Sequence, residues 1–155
     1  MTNKDLYEPS SDIIKNSHAN KAVYEKMYKE SITTPEKFWE KHGKRIDWMK
    51  PYTKIRDVSY NKEDLHIRWY EDGTLNASYN CLDRHLETKG NNTAIIWEGD
   101  DPNESKHISY NELHEQVCKF SNVLINAGAK KGDRITIYMP MILEATVAML
   151  SLIHI

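Results

Sequence analysis

Cys81 and His85 stand four positions apart with Asp83 between them, a spacing that brings a thiol and an imidazole to one face of a helix. Nucleophilic catalysis by such a pair needs that closeness, and it also needs a third group to orient the base and donors for a developing oxyanion. No signature of either accompanies the pair, and a cysteine buried beside a hydrogen-bonded histidine explains the spacing more simply. The acidic residues Glu98, Asp100 and Asp101 would suit a hard cation such as magnesium if their oxygens converged. Their spacing fits no EF-hand loop, and a solvated hairpin turn accounts for them.

The remaining chemistry-bearing residues are scattered. Seven histidines include no HxxxH pair, and the two cysteines, Cys81 and Cys118, form neither a CxxC redox pair nor a zinc motif. Both are expected to be reduced and buried. Trp39, Trp48, Trp69 and Trp97 have no basic groove beside them for stacking on bases, so they read as core or domain-contact residues. The six glycines all have structural places: Gly43, Gly90 and Gly128 after helices, and Gly73, Gly99 and Gly132 in turns. Neither GxxxxGK[ST] nor GxGxxG occurs, so no backbone nest for nucleotide phosphates is recognisable.

The elements that must position these residues come from a 155-residue chain, 39% hydrophobic and 28% charged, with a formal net charge of −2. The charges are interspersed, which argues against a nucleic-acid-binding arm or a membrane-surface helix. The start lacks the apolar run of a secretory signal, and the longest uncharged apolar stretch, Ala145 to Ile153, is too short to span a bilayer, so a cytoplasmic protein is expected.

Residues 1–17 are polar without a hydrophobic period and read as a disordered tail. Val23, Tyr24, Met27, Tyr28 and Ile32 then predict a short amphipathic helix able to cover something larger. A second helix is predicted from Thr34 as N-cap with Pro35 at its first position, with Phe38 and Trp39 on its apolar face and Gly43 at its end. An irregular stretch follows Pro51. LHIRWY then predicts a half-buried strand with Leu65, Ile67 and Trp69 on one face, closed by a turn at Glu71 to Gly73.

From Leu75 the stripe Leu75, Tyr79, Leu82 and Leu86 predicts one helix ending at Gly90. Thr93 to Trp97 and His107 to Ser109 predict a hairpin across an acidic turn. Ser109 with Glu112 fits a capping box for a long helix striped by Tyr110, Leu113, Val117, Phe120 and Leu124 and ending at Gly128. Arg134 to Tyr138 predicts a strand, and Ile142 to Ile155 a helix apolar on nearly every side. Strand, helix, strand, helix in this order predicts the opening of an α/β domain with a right-handed crossover. The last helix reaches Ile155 without a stop signal, so the sequence is expected to break off in mid-core.

Four stretches carry a family resemblance: SITTPEKFWEKHGKRIDWMKPY, WYEDGTLNASYNCLDRHLE, AIIWEGDDPNESKHISYNELHEQVCKFSNVL and KKGDRITIYMPMILEATVAML. In this order and spacing they resemble the beginning of AMP-forming acetyl-CoA synthetases, from Tyr24 to about Leu150. CLDRH and IIWEGD pull toward the acetate enzyme over sister enzymes for other short acyl chains. The resemblance implies an α/β fold in which residues 18–75 form an amino-terminal helical and strand cap and residues 76–155 an incomplete start of the large AMP-binding domain. It implies a ligase that joins ATP, acetate and CoA through acetyl-adenylate, with magnesium assisting and with the missing remainder of the enzyme as partner. The family's phosphate loop, substrate pockets and mobile lysine domain lie past Ile155, so no catalytic, cofactor-binding or metal position carries over and the chain by itself is expected to be inactive. After AML the chain reads SLIHI, with His154 where the family pattern has arginine. The competing readings are a freestanding non-catalytic interaction module and a fragment of a propionyl- or acetoacetyl-CoA synthetase.

Overall fold

A backbone that alternates short helices with short strands follows from these patterns, and the computed structural model describes it for residues 7–101 and 103–154. The chain forms two units: one runs to Arg45 and adds Lys54–Glu71, the other joins Ile46–Thr53 to everything from Asp72 on. Among the described residues no helix is long and apolar enough to cross a membrane.

In the first unit, the predicted tail has its first six residues outside the described part, and its remainder contains a helix the polar sequence did not announce. This is α1, Ser11–Asn16, started by the Ser10 hydroxyl accepting from Ile13 N and carrying no buried residue. Helix α2, Lys21–Thr33, is capped by Asn20, and α3, Pro35–Gly43, begins at Pro35 as expected. The Thr34 hydroxyl does not cap α3; it donates back to Glu30 O at 3.2 Å. The stripe of α2 is largely uncovered: Tyr24, Tyr28 and Ile32 are all exposed.

The stretch read as irregular contains a strand, β1, Arg56–Ser59, paired antiparallel with β2, His66–Trp69. The predicted strand forms, but neither face of it is half-buried as expected, since Ile67, Arg68 and Trp69 are all exposed. Ile67 and Leu65 are exposed, whereas the His66 side chain is four-fifths covered. The ribbon ends at Tyr70, a non-glycine residue at φ 49°, held there by its N–H to Ile55 O and its hydroxyl to Trp39 O at 2.7 Å. Trp39 and Trp69 meet edge to face at 5.5 Å.

In the second unit, the single helix predicted from Leu75 to Leu86 is broken. α4, Ala77–Cys81, capped by Asn76, gives way to a 3-10 turn over Asp83–His85 and then to α5, Leu86–Lys89. Leu82, at 2% exposure, is driven into the core at the break, and Asn80 is pulled toward Ile46–Thr53, where it brackets the Asp47 backbone by accepting from its N–H and donating to its carbonyl. Gly90 follows α5 for reasons of space rather than backbone freedom: a Cβ there would lie 2.5 Å from Leu86 O and 2.6 Å from Asn111 Oδ1.

The predicted hairpin forms as β3, Thr93–Glu98, and β4, Ser105–Ser109, with a bulge between Thr93 and Ile95. It leads directly into α6, Tyr110–Asn126, whose capping box is complete: Glu112 N donates to the Ser109 hydroxyl, and Ser109 N donates to Glu112 Oε2 at 2.7 Å. The Ser109 N–H, and with it the Ser109 hydroxyl 2.8 Å from Oε2, hold the Glu112 carboxyl below its ordinary value. Gly128 at φ 95° ends the helix.

Residues 134–138 do not form the predicted strand: the described residues contain two antiparallel pairs, β1–β2 and β3–β4, and no parallel crossover. An apolar run becomes a strand only when neighbours accept its ladder hydrogen bonds, and none is present beside 134–138. Helix α7, Leu143–Ile153, packs one face on α6, burying Val147 beside Leu82, Leu113 and Val117. Ser121 and Ser151 lie in this seam: the Ser121 hydroxyl is 3.0 Å from Ser151 O, and the Ser151 hydroxyl is 3.0 Å from Val117 O. Met149 and Ile153, on the other side of α7, are exposed.

Candidate functional site

The break after Cys81 decides which reactive side chains meet. In a continuous helix Cys81 and His85 would share a face; here a 3-10 turn follows Cys81, no hydrogen bond among the described residues joins the two, and Cys81 is exposed, contrary to the expected burial. The His85 ring packs against Tyr110 at 5.8 Å. Asp83 turns instead toward α6 and the end of α7, where it meets His114 at 3.3 Å and His154 at 3.4 Å, each through Nε2. Cys118, one turn beyond His114 on α6, places Sγ 3.5 Å from the same His114 Nε2.

The second unit thus gathers a carboxylate, two imidazoles and a thiol. Sequence reading passed over His114 and Cys118, although their spacing on the best-marked helix equals that of Cys81 and His85. The same one-turn rule would have found them.

The arrangement is a poor nucleophilic centre. A catalytic base takes the thiol proton on one ring nitrogen while its orienting partner holds the other; here Asp83 and Cys118 both address Nε2 of His114. Burial, reinforced by the Asp83 charge, pushes the Cys118 thiol up, so it stays protonated and weakly reactive. Asp83 Oδ2 and His154 Nε2 are buried and close enough to pair as charges, yet they are not aligned for a hydrogen bond with each other or with any other partner. The cluster can brace the 3-10 turn against α6 and α7; it does not present a reacting atom to a substrate.

Among the described residues no group of three or more histidine, cysteine, aspartate or glutamate side chains is placed to hold a metal ion. Glu98, Asp100 and Asp101 are exposed at the β3–β4 turn, and Asp101 spends Oδ1 on Asn103 N at 2.9 Å. The tryptophans do not form the core: Trp97 is half-buried and donates Nε1 to Met141 O, and Trp48 lies against Tyr52. An open cleft of about 710 Å³ in the second unit is lined by Leu75, Asn76, Lys131, Arg134 and His154 among others. Its lysine and arginine side chains stand beside Asp133, and solvated charges of this kind are screened within about 8 Å at physiological salt, so charge alone positions nothing there.

Residues 24–81 match the family described as acetyl-coenzyme A synthetase N-terminus, and residues 82–155 match the AMP-binding enzyme family. An acetyl-coenzyme A synthetase of Shewanella frigidimarina is 60% identical over 97% of this chain, and one of Bartonella quintana is 56% identical over 94%. The chain spans 23% and 22% of the length of those two relatives. A solved acetoacetyl-CoA synthetase from Streptomyces lividans superposes with a TM-score of 0.69 over 86% of this chain and 20% of its own, at 24% identity, which is a likeness of fold. Two abutting family matches that together cover residues 24–155, and identities of 55–60% with curated relatives, make this chain a member of the acetyl-coenzyme A synthetase family, corresponding to its amino-terminal quarter.

Proposed function

We propose that these residues serve an AMP-forming acetate–CoA ligase as its cap, residues 18–75, and as the first part of its AMP-binding domain, residues 76–155. The observation that carries this reading is the succession of the two family matches at residues 81 and 82 within a chain so similar to acetyl-coenzyme A synthetases throughout. The whole protein would convert ATP, acetate and CoA to acetyl-CoA, AMP and diphosphate in the cytoplasm. Acetate is favoured over propionate and acetoacetate because CLDRH (residues 81–85) and IIWEGD (residues 95–100) follow the acetate enzymes. These segments report kinship and not the shape of an acyl pocket.

Adenylate formation needs donors preorganised around three phosphates, a magnesium site and a wall for the base. The described residues do not fit that requirement: the acidic side chains of the β3–β4 turn are exposed and do not converge, and no glycine-rich phosphate motif occurs. No step of the reaction is therefore assigned to a residue of this chain. Its contribution is mechanical, since α6 and α7 with their buried seam supply a rigid floor on which further elements can be built.

The test is acetate-dependent diphosphate release, measured side by side for the 155-residue chain and a full-length relative such as that of Shewanella frigidimarina. Release by the relative and none by the chain is expected. Turnover by the chain alone would mean that these residues contain a complete site, and a chimera of this chain with the relative's remaining sequence that stays folded but inactive would count against the ligase assignment.

A further inference from the structure

The β1–β2 ribbon lacks what normally fixes strand register. Register is specified when one face of a strand is buried, because a one-residue slip would move its apolar side chains into water. Here Leu65 and Ile67 are 68% and 59% exposed, so a slip costs them little, and of the apolar side chains of β2 it is Trp69 that has a packing partner, in Trp39. A two-stranded ribbon with no buried face is marginal in water. The pairing is nonetheless regular, with Arg56 opposite Trp69, Asp57 opposite Arg68, Val58 opposite Ile67 and Ser59 opposite His66.

The side chain enclosed within this ribbon is His66. Its Nδ1 lies 3.1 Å from Asp64 Oδ1 and its Nε2 3.2 Å from Asp57 Oδ1. Asp57 lies diagonally across the ladder on the face His66 occupies, and Asp64, in the bend that leads into β2, reaches the other ring nitrogen from two positions before. Ionised carboxylates only accept hydrogen bonds, and a neutral imidazole has only one N–H to give. Both contacts are made together only by an imidazolium. Lys54 Nζ, 2.8 Å from Asp57 Oδ2, holds the other oxygen of Asp57. Arg68, two positions beyond His66 on the same face, is directed to Glu71 at 3.6 Å.

We propose that His66, gripped between Asp57 and Asp64, is a charge-operated register clasp for the β1–β2 ribbon, closed while the ring carries two protons and opened when it loses one. A slip by one residue would carry His66 to the opposite face and leave Asp57, across the ladder, without it, while Asp64, two positions before His66, would move with it. The clasp therefore does with charge what a buried face does elsewhere.

The protonation preferences agree with this geometry. The Asp57 hydrogen bond, helped by Asp64 and opposed by partial burial, holds the His66 ring above the ordinary histidine range. Lys54 and then His66 hold the Asp57 carboxyl below its ordinary value. A raised histidine contributes stability that is complete below its unfolded value and is lost as pH rises through the folded one. A lowered aspartate contributes stability that is present above its unfolded value and is lost as pH falls through the folded one. The clasp is thus closed on the acidic side of the ordinary histidine value, down to where Asp57 takes up a proton, and opens on its alkaline side.

Two measurements on the full chain test this. Nitrogen-15 spectra of the imidazoles should show both His66 ring nitrogens protonated at about pH 6, with the loss of one proton displaced to higher pH than in an unfolded peptide. Amide exchange, corrected for its intrinsic pH dependence, should show protection of the β1–β2 ladder falling roughly three- to tenfold from about pH 6 to about pH 9, the range expected for losing one hydrogen bond, while the β3–β4 ladder stays constant. His66→Gln should abolish that pH dependence, and Asp64→Asn, which leaves the Asp57 contact intact, should move its midpoint down. A neutral ring at about pH 6, flat protection in the native chain, or undiminished pH dependence in His66→Gln would overturn the proposal.

Discussion

The two units hold their elements in place by different physics. In the second, six apolar side chains, Leu82, Leu113, Val117, Leu143, Val147 and Ala148, are buried, together with hydroxyls that cross the α6–α7 seam. In the first, Gly43 is the one buried residue among those described. Its geometry rests on half-exposed contacts: the Tyr70 hydroxyl on Trp39 O, Arg56 with Glu36 at 2.9 Å, the Trp39–Trp69 edge and the His66 clasp. Packed apolar interiors are sensitive to volume and indifferent to pH and salt, whereas exposed polar contacts have the opposite sensitivities.

The sharpest way to break this contrast is to cut a cavity in the second unit. Leu113→Ala should cost about 3 kcal/mol, read as a fall in the urea midpoint with protection lost across α6 and α7. An effect under about 1 kcal/mol would mean the seam collapses readily and is not a rigid floor. The cysteines give a second comparison. Exposed Cys81 should react with a maleimide at least about tenfold faster than Cys118, whose thiol is partly covered and held protonated. Equal rates in the folded chain would show that α6 opens as easily as the surface.

Ser121→Ala removes a hydroxyl that lies within reach of both Val117 O and Ser151 O, and should cost about 1 kcal/mol by thermal unfolding. The smallest effect belongs to the first unit. Glu36→Gln weakens a pair with Arg56 whose partners are 58% and 35% exposed, and should change stability by no more than about 0.5 kcal/mol, with less effect still at high salt. A larger, salt-resistant loss would show that this pair is buried in a way the exposed surface does not suggest.

What the sequence alone determined about this protein was local or cumulative. Pro35, whose fixed φ suits a first helical position, marked the start of α3; Ser109 with Glu112 and Gly128 marked both ends of α6, and the acidic turn marked the β3–β4 hairpin, because caps and turns are closed by groups a few residues apart. The family was legible for another reason: four long stretches in fixed order carry far more information than any one motif. Tertiary structure decided what depends on distant partners. It broke the Leu75–Leu86 stripe at Leu82, turned Asp83 away from Cys81 and His85 toward His114, Cys118 and His154, paired the unannounced β1 with β2, and left Arg134 to Tyr138 without a ladder. A strand exists only in its neighbour's hydrogen bonds, and a cluster exists only where packed elements converge, so neither can be read from periodicity in a single segment.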